Sequence, residues 1–368
     1  MKTPDATQTS SAAETLDTPL AALHAGAGAN MGVWFACALP SDFGDPAAEY
    51  RFANQSVALL DKNYRAYLSF TGPDRVRYLN AILTNNIKDL APGQGTISLL
   101  LNPQGHILAE LETYALADQH LCVSYAMIRE QLVQWMDKYI IMDDVTLTDE
   151  TERWGTLALE GPKAAAVVRE TSGVDITKEG ELVSVDGAVG VIPCRVVKRS
   201  PGGMAGAEFV VVRPHLAALW QILLDAARKH RGGPAGYTAL SGQRLAQGVP
   251  WFGYDFGDKQ IPHEAGLENS HISYTKGCYT GQEIVERVRS RGHVNRRRVS
   301  LLFNGDAIPA PGAVLNTADG NEAGYVARAA HVWDPPRILG MGYIRKDAEA
   351  PGTVLYWQGG TATVARFS

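Results

Sequence analysis

The sequence predicts a mixed α+β fold closed by a small all-β module at its C-terminus. Short β-like runs alternate with amphipathic helical patterns through most of the chain. Proline and glycine punctuate these runs as helix starts and stops. From about Arg298 the pattern changes to short strands broken by Pro-Gly, Asp-Gly and Gly-Gly turns, which reads as a barrel-like module.

The elements follow in order. The first 45 or so residues begin Thr/Ser/Ala/Asp-rich with few large apolar groups and read as a flexible extension, order beginning before Tyr50. Tyr67-Leu68-Ser69-Phe70 reads as a strand leading into a helix with Val76, Leu79, Ile82 and Leu83 on one face. Leu121 to Tyr125 is a further strand, followed by a helix carrying Leu132, Trp135 and Met136. Trp154 to Leu159 ends in Gly161-Pro162, which places Pro162 at a first helical position. Phe209 to Val212 is an apolar strand. Pro214 then opens a helix burying Leu216, Leu219, Trp220, Leu223 and Leu224, and Gly232-Gly233-Pro234 stops it. The expected division is an extension over 1–45, a main α+β region over 46–297 and the β module over 298–368.

At 368 residues the chain is long enough for two or three structural domains. A net charge of -5 gives no global attraction to nucleic acid or anionic membrane. No run reaches transmembrane length. Asp5, Glu14 and Asp17, with neither arginine nor an apolar core segment near them, argue against a secretory signal or a mitochondrial presequence. Cys37, Cys122, Cys194 and Cys278 are far apart and form no C-x-x-C pair, so reduced thiols in a cytoplasm are expected. The same spacing argues against an iron–sulfur cluster held by the chain itself. His263-Glu264 has no second histidine at zincin spacing, and no metal site is expected. Gly202-Gly203-Met204-Ala205-Gly206 superficially looks like a phosphate loop but precedes a strand, which marks an ordinary turn.

Lys276-Gly277-Cys278-Tyr279-Thr280-Gly281-Gln282-Glu283 is the most informative stretch. Thr280 and Glu283 have the spacing of a capping box opening a helix through Ile284, Val285 and Val288. Cys278 would lie just before that helix N-terminus and near the charge of Lys276, both of which favour thiolate. A capped helix with a small buried cysteine explains the same residues without chemistry.

This string resembles the K-G-C-[aromatic]-x-G-Q-E signature of the YgfZ family of folate-binding proteins, relatives of the glycine-cleavage T-protein (aminomethyltransferase). Other segments are similar in order from about residue 55 onward. These are Gly72-Pro73-Asp74-Arg75 to Tyr78-Leu79, Thr84-Asn85-Asn86, Asn102-Pro103-Gln104-Gly105-His106-Ile107 and Leu159-Glu160-Gly161-Pro162. Arg244-Leu245 with Gly248-Val249-Pro250, Gly253-Tyr254-Asp255, and Ile261-Pro262-His263-Glu264-Ala265-Gly266-Leu267 complete the set. The resemblance implies a GcvT/YgfZ-like folate-binding fold of intertwined α+β subdomains with a C-terminal barrel. It further implies tetrahydrofolate as ligand, iron–sulfur client or assembly proteins as partners, and a role in maintaining iron–sulfur enzymes with Cys278 as the functional thiol. Carried over by position, folate contacts fall on Val123, Tyr125, Asp255, Glu264, Gly277, Gln282, Arg291 and Arg298.

Three departures bear on catalysis. The T-protein's aspartate pair reads Ala109-Glu110 here, its pterin-contacting glutamate is Ala246, and Tyr125 replaces a pocket asparagine. A methyl group cannot replace a general acid/base, which leaves Glu110 as the candidate for that role in a second reading, a folate-dependent one-carbon transferase or demethylase. A third reading is an interaction scaffold with a vestigial cavity. Asp255 and Glu264 either line the folate slot or brace the glycine-rich turns around them. Arg287, Arg289, Arg291, Arg296, Arg297 and Arg298 with His293 either grip a folate carboxylate tail, or form a solvated face, or bind nucleic acid. The last lacks interleaved aromatics.

Overall fold

The strands Ala58–Asp61 and Arg65–Thr71 follow one another almost directly but belong to different sheets. A computed structural model describes residues 15–200 and 202–366. Ala58–Asp61 pairs antiparallel with Trp154–Glu160 inside a six-stranded sheet. That sheet runs Ser184–Val189, Ile192–Lys198, Gly206–Val212, Trp154–Glu160, Ala58–Asp61, Gly233–Pro234. Arg65–Thr71 enters a five-stranded antiparallel sheet ordered Gly95–Leu101, Ile107–Ala115, His120–Tyr125, Arg65–Thr71, Thr146–Asp149. The chain therefore leaves one sheet at Asp61, builds the other, and returns at Trp154.

Alternation along the strands gives the five-stranded sheet two faces. Ala109, Leu111 and Cys122 pack with Leu79, Ile82, Leu132 and Met136 from the helices Arg75–Ile82 and Arg129–Asp137. These are the strand–helix units that periodicity expects, with Val76 and Trp135 only half-buried. Glu110, Glu112, Tyr114, Val123 and Tyr125 take the opposite face. Glu112 stands beside Val123 in the ladder, and a buried ion network fills that layer. Arg65 donates to Glu112 at 2.6 Å and to Glu208 at 3.0 Å, Arg199 donates to Glu112 at 2.9 Å, and Lys62 pairs with Glu208. Burial alone would raise the Glu112 carboxyl, but Arg65, Arg199 and Lys62 outweigh it and hold it well below the usual carboxylate range.

Glu160 is different. Its Oε1 accepts from the backbone N–H groups of Gly202 (2.7 Å) and Met204 (3.1 Å) and from Gln243 Nε2 (3.4 Å). The glycine-rich loop is thus a turn, and the anion-type acceptor it wraps is the protein's own carboxyl. Burial pushes Glu160 up to about 7. Its Oε2 and the Oε1 of Gln243 both lack a partner among the described residues. A proton on Oε2 removes the cost of a buried, unpartnered carboxylate oxygen. Because the folded chain holds this proton more tightly than the unfolded chain, the associated stability is complete below about pH 4.5 and is lost as pH rises through about 7. Glu160→Gln retains the hydrogen bonds without the titration. Between about pH 5 and pH 8.5 the wild type is expected to lose about 3 kcal/mol relative to this variant in urea unfolding; parallel curves would contradict the assignment.

Residues 15–45 depart from the expected flexible extension, and residues 1–14 of that segment lie outside the described residues. Leu16–Asp17, Asn30–Trp34 and Cys37–Asp42 form a three-stranded sheet, and Ala21–Gly26 is a helix. His24, fully buried, bonds Asp61 at 2.8 Å. The physical reason is a two-residue hairpin turn. Phe35 and Ala36 have φ of 53° and 57°, the geometry that matches strand twist. It drives the Phe35 ring into the core, so the few large apolar side chains of the segment suffice to order it. Pro162 also departs from expectation. It lies two residues ahead of the helix Ala164–Ser172, within a turn that Gly161 (φ 133°) makes against the Ser56 carbonyl, where a Cβ would stand 2.5 Å away.

Pro214 opens a short 3₁₀ turn into the helix Leu216–Lys229, whose buried face carries the five residues expected. The C-terminal module is a closed six-stranded barrel beginning at Arg296, two residues earlier than expected, with Leu301, Phe303, Val326, Ile344 and Leu355 in its core. No helix among the described residues is long and apolar enough to cross a membrane.

Candidate functional site

Glu110 and Tyr125 project from neighbouring strands onto one face. The Tyr125 hydroxyl donates to Glu110 Oε2 at 2.8 Å, and Ser124 Oγ donates to the Glu110 carbonyl at 2.8 Å. The other carboxylate oxygen, Oε1, lies 3.0 Å from His271 Nε2, and His271 Nδ1 lies 2.7 Å from Ser270 Oγ. Glu110 is 9 % exposed and His271 6 %, whereas Ser270 is at the surface.

Residues 270–276 are stitched to residues 80–85. Thr84 Oγ1 donates to the His271 carbonyl at 2.7 Å, Asn85 Nδ2 to that of Ser270 at 3.3 Å, and Ser273 N to that of Thr84 at 3.1 Å. Lys276 Nζ donates to the carbonyls of Asn80 (2.5 Å), Leu83 (2.5 Å) and Asn85 (3.0 Å), capping the helix Arg75–Ile82 at its negative end. Burial lowers the Lys276 ammonium to about 8.

The helix Gln282–Arg291 opens against the Asn102–Gly105 turn. Gly281 (φ 82°) lies so close that a Cβ there would be 2.7 Å from the Asn102 carbonyl oxygen, and one on Gly105 would meet Ile284 at 2.9 Å. Two motifs distant in sequence are thereby fitted together. No side chain caps this helix, and Glu283 instead pairs with Arg287 at 2.7 Å. The expected Thr280/Glu283 capping box is absent because Gly281 in the left-handed region sets the helix start.

An aromatic cluster lies beside Glu110. Phe35 stacks on Tyr64 at 4.1 Å and approaches Tyr125 at 5.4 Å and Trp251 at 5.2 Å, while Tyr125 meets Phe252 at 5.2 Å. Tyr279 belongs to the same cluster, and its buried hydroxyl has no partner among the described residues. A groove of about 890 Å³ runs along the helix Arg129–Asp137 and meets the edge of the cluster at Ala126 and Met127, and none of Glu110, Tyr125 and His271 lines it.

Of the residues singled out from sequence, Glu110 and Tyr125 are in direct contact. Lys276, Gly277, Cys278 and Gln282 lie on the adjoining segment. The Lys276 ammonium has three donors, and all three go to carbonyls of the Asn80–Asn85 segment, tying the KGCYTGQE string to the end of that helix. Cys278 is exposed, unlike the other three cysteines, all free and buried. Gly277 is exposed with open space around it. Val123 packs with Tyr67, Tyr114 and Leu121 beside the ion network.

Asp255 and Glu264 both bond neighbouring elements. Asp255 pairs with Arg244 and accepts from Trp251 N at 2.8 Å, while its carbonyl accepts from Tyr343 of the barrel. Glu264 pairs with Arg296 at 3.2 Å. Arg298 is buried and donates to the Ala265 carbonyl at 2.8 Å, joining barrel to body. Arg291 is exposed at the end of its helix, and Arg287, Arg289, Arg296 and Arg297 each face a carboxylate within 4.0 Å, the pattern of a solvated, compensated surface. Sequence reasoning missed His271, a lone histidine between two motifs.

A family model described as the GCVT N-terminal domain matches residues 20–272, well over half of the chain. The chain belongs to the GCVT family. The match contains Glu110, Tyr125 and His271 and ends before Lys276. An aminomethyltransferase of Streptomyces coelicolor is 25 % identical over 348 residues, 93 % of each chain. Another, from Herpetosiphon aurantiacus, is 27 % identical over 314 residues, 84 % of each. The crystal structure of glycine cleavage system aminomethyltransferase T from Bartonella henselae superposes with a TM-score of 0.86 at 22 % identity, covering 96 % of this chain and 97 % of that one. The mixed α+β body with its closed barrel is the GCVT family fold.

Proposed function

We propose that this protein binds tetrahydrofolate and carries out a one-carbon transfer with Glu110 as acid/base. The observation that carries the reading is the Glu110 carboxylate, held at both oxygens by Tyr125 and His271 on the strand where the resemblance puts the transferase's acidic pair. Relatives named aminomethyltransferase, aligned over 84 % and 93 % of their length, support it. The residues suit a flat, polar-edged ligand: aromatic rings beside a carboxylate, and a buried Tyr279 hydroxyl lacking a partner among the described residues. Folate supplies the nitrogen that takes the one-carbon unit. Glu110 holds or accepts the proton of the donor amine, Tyr125 and His271 fix its direction, and the aromatic wall restricts water. Turnover of an aminomethyl or N-methyl donor that depends on tetrahydrofolate and is lost in Glu110→Ala is the expected result. No turnover across such donors would contradict it.

A second reading, support of iron–sulfur enzymes in a reducing cytoplasm, is favoured by one observation. Cys278, exposed within the KGCYTGQE string, is the single accessible thiol among the described cysteines. Under it, Cys278→Ala keeps the fold and tetrahydrofolate affinity but fails to restore iron–sulfur enzyme activity in cells lacking the protein. Full restoration would end that reading.

A further inference from the structure

A buried acid/base must exchange its proton with solvent once per cycle, and Glu110 is nearly closed off from water. One oxygen faces Tyr125, and the other faces His271, whose far nitrogen contacts the surface hydroxyl of Ser270. We propose that His271 and Ser270 form the proton relay connecting Glu110 to solvent, an inference that rests on the one-carbon reading above.

Imidazole suits the position because its two nitrogens lie on opposite sides of the ring. With Glu110 ionised, Nε2–H donates to the carboxylate, and bare Nδ1 accepts the Ser270 O–H. A proton from water passes through Ser270 to Nδ1 while Nε2–H passes to the carboxylate, leaving Glu110 protonated and the ring in its Nδ1–H tautomer; the reverse movement returns the proton to solvent. One proton enters the ring and one departs. No bond between heavy atoms changes, and no electrons are transferred. The path is held from behind, since Thr84 fixes the His271 carbonyl, Asn85 that of Ser270, and the His271 N–H bonds the Leu267 carbonyl at 3.0 Å. His271 is thereby a positioning and relay residue that acts through Glu110, and this gives the Thr84-Asn85 motif a purpose.

The test compares wild type, His271→Gln and His271→Ala in tetrahydrofolate-dependent turnover. Glutamine still donates to the carboxylate but cannot pass a proton through. The expected result is unchanged KM and tetrahydrofolate affinity, kcat lower by about 100-fold in both variants, and partial recovery of His271→Ala with added imidazole. Wild-type kcat in His271→Gln would overturn the relay, as would loss of tetrahydrofolate binding without any kcat effect. If the wild type shows no turnover at all, the one-carbon reading fails separately, and nitrogen-15 spectra of His271 decide the relay. An Nε2–H tautomer that gives way to Nδ1–H when Glu110 is protonated, with an Nδ1 signal that moves in Ser270→Ala, supports it, and one fixed tautomer throughout overturns it.

Discussion

Glu110→Gln is expected to lower turnover by at least about 100-fold while leaving tetrahydrofolate affinity within about threefold. The amide oxygen can still accept from the Tyr125 hydroxyl, and the amide nitrogen can meet His271 in its other tautomer, so shape and hydrogen bonding survive. What disappears is the capacity to hold a proton. Glu110→Asp is a companion case, because the carboxylate withdraws by one methylene and cannot reach Tyr125 and His271 together. Steady-state kcat and KM for both variants check the point, and near-normal kcat in Glu110→Gln would remove the residue from the chemistry.

Arg65→Met is expected to destabilise the protein by about 3–5 kcal/mol, measured as a fall in the urea midpoint. The guanidinium lies between Glu112 at 2.6 Å and Glu208 at 3.0 Å. Its removal leaves two buried carboxylates sharing Lys62 and Arg199, and uncompensated buried charge is the costly outcome. A loss of this size is a large part of the stability of an ordinary domain. The effect also reaches the site, since Arg65 is the ladder partner of Tyr125. Because the Glu112 and Glu208 carboxyls sit below their ordinary range, the stability they contribute is present above the usual carboxylate pKa and is lost as pH falls through the depressed values. A change within about 0.5 kcal/mol would show that water or side-chain rearrangement compensates the network.

The strand–helix alternation, the proline-opened helix before Leu216 and the turn-rich barrel were legible because each depends on short-range periodicity and turn chemistry. The N-terminal sheet was not. Its burial depends on Phe35 reaching partners at Tyr64, Tyr237 and Trp251, which composition cannot show. Local spacing likewise suggested a capping box at Thr280, and tertiary contact between Gly281 and Asn102 overrode it. In the candidate site, Glu110 and Tyr125 could be named from sequence, but His271 could not, since it meets Glu110 only after folding brings residues 161 positions apart together. Lys276 shows the reverse case. Proximity in sequence pointed to Cys278, and could not show that the carbonyls at the end of a distant helix bind its ammonium.

Hydrogen–deuterium exchange with and without tetrahydrofolate reads both whether folate binds and where. The expected result is slowed exchange in residues 107–125 and 270–281 and little change in the barrel. Absence of any protection at saturating tetrahydrofolate, or protection confined to the arginine face of residues 287–297, would contradict a folate site built around Glu110.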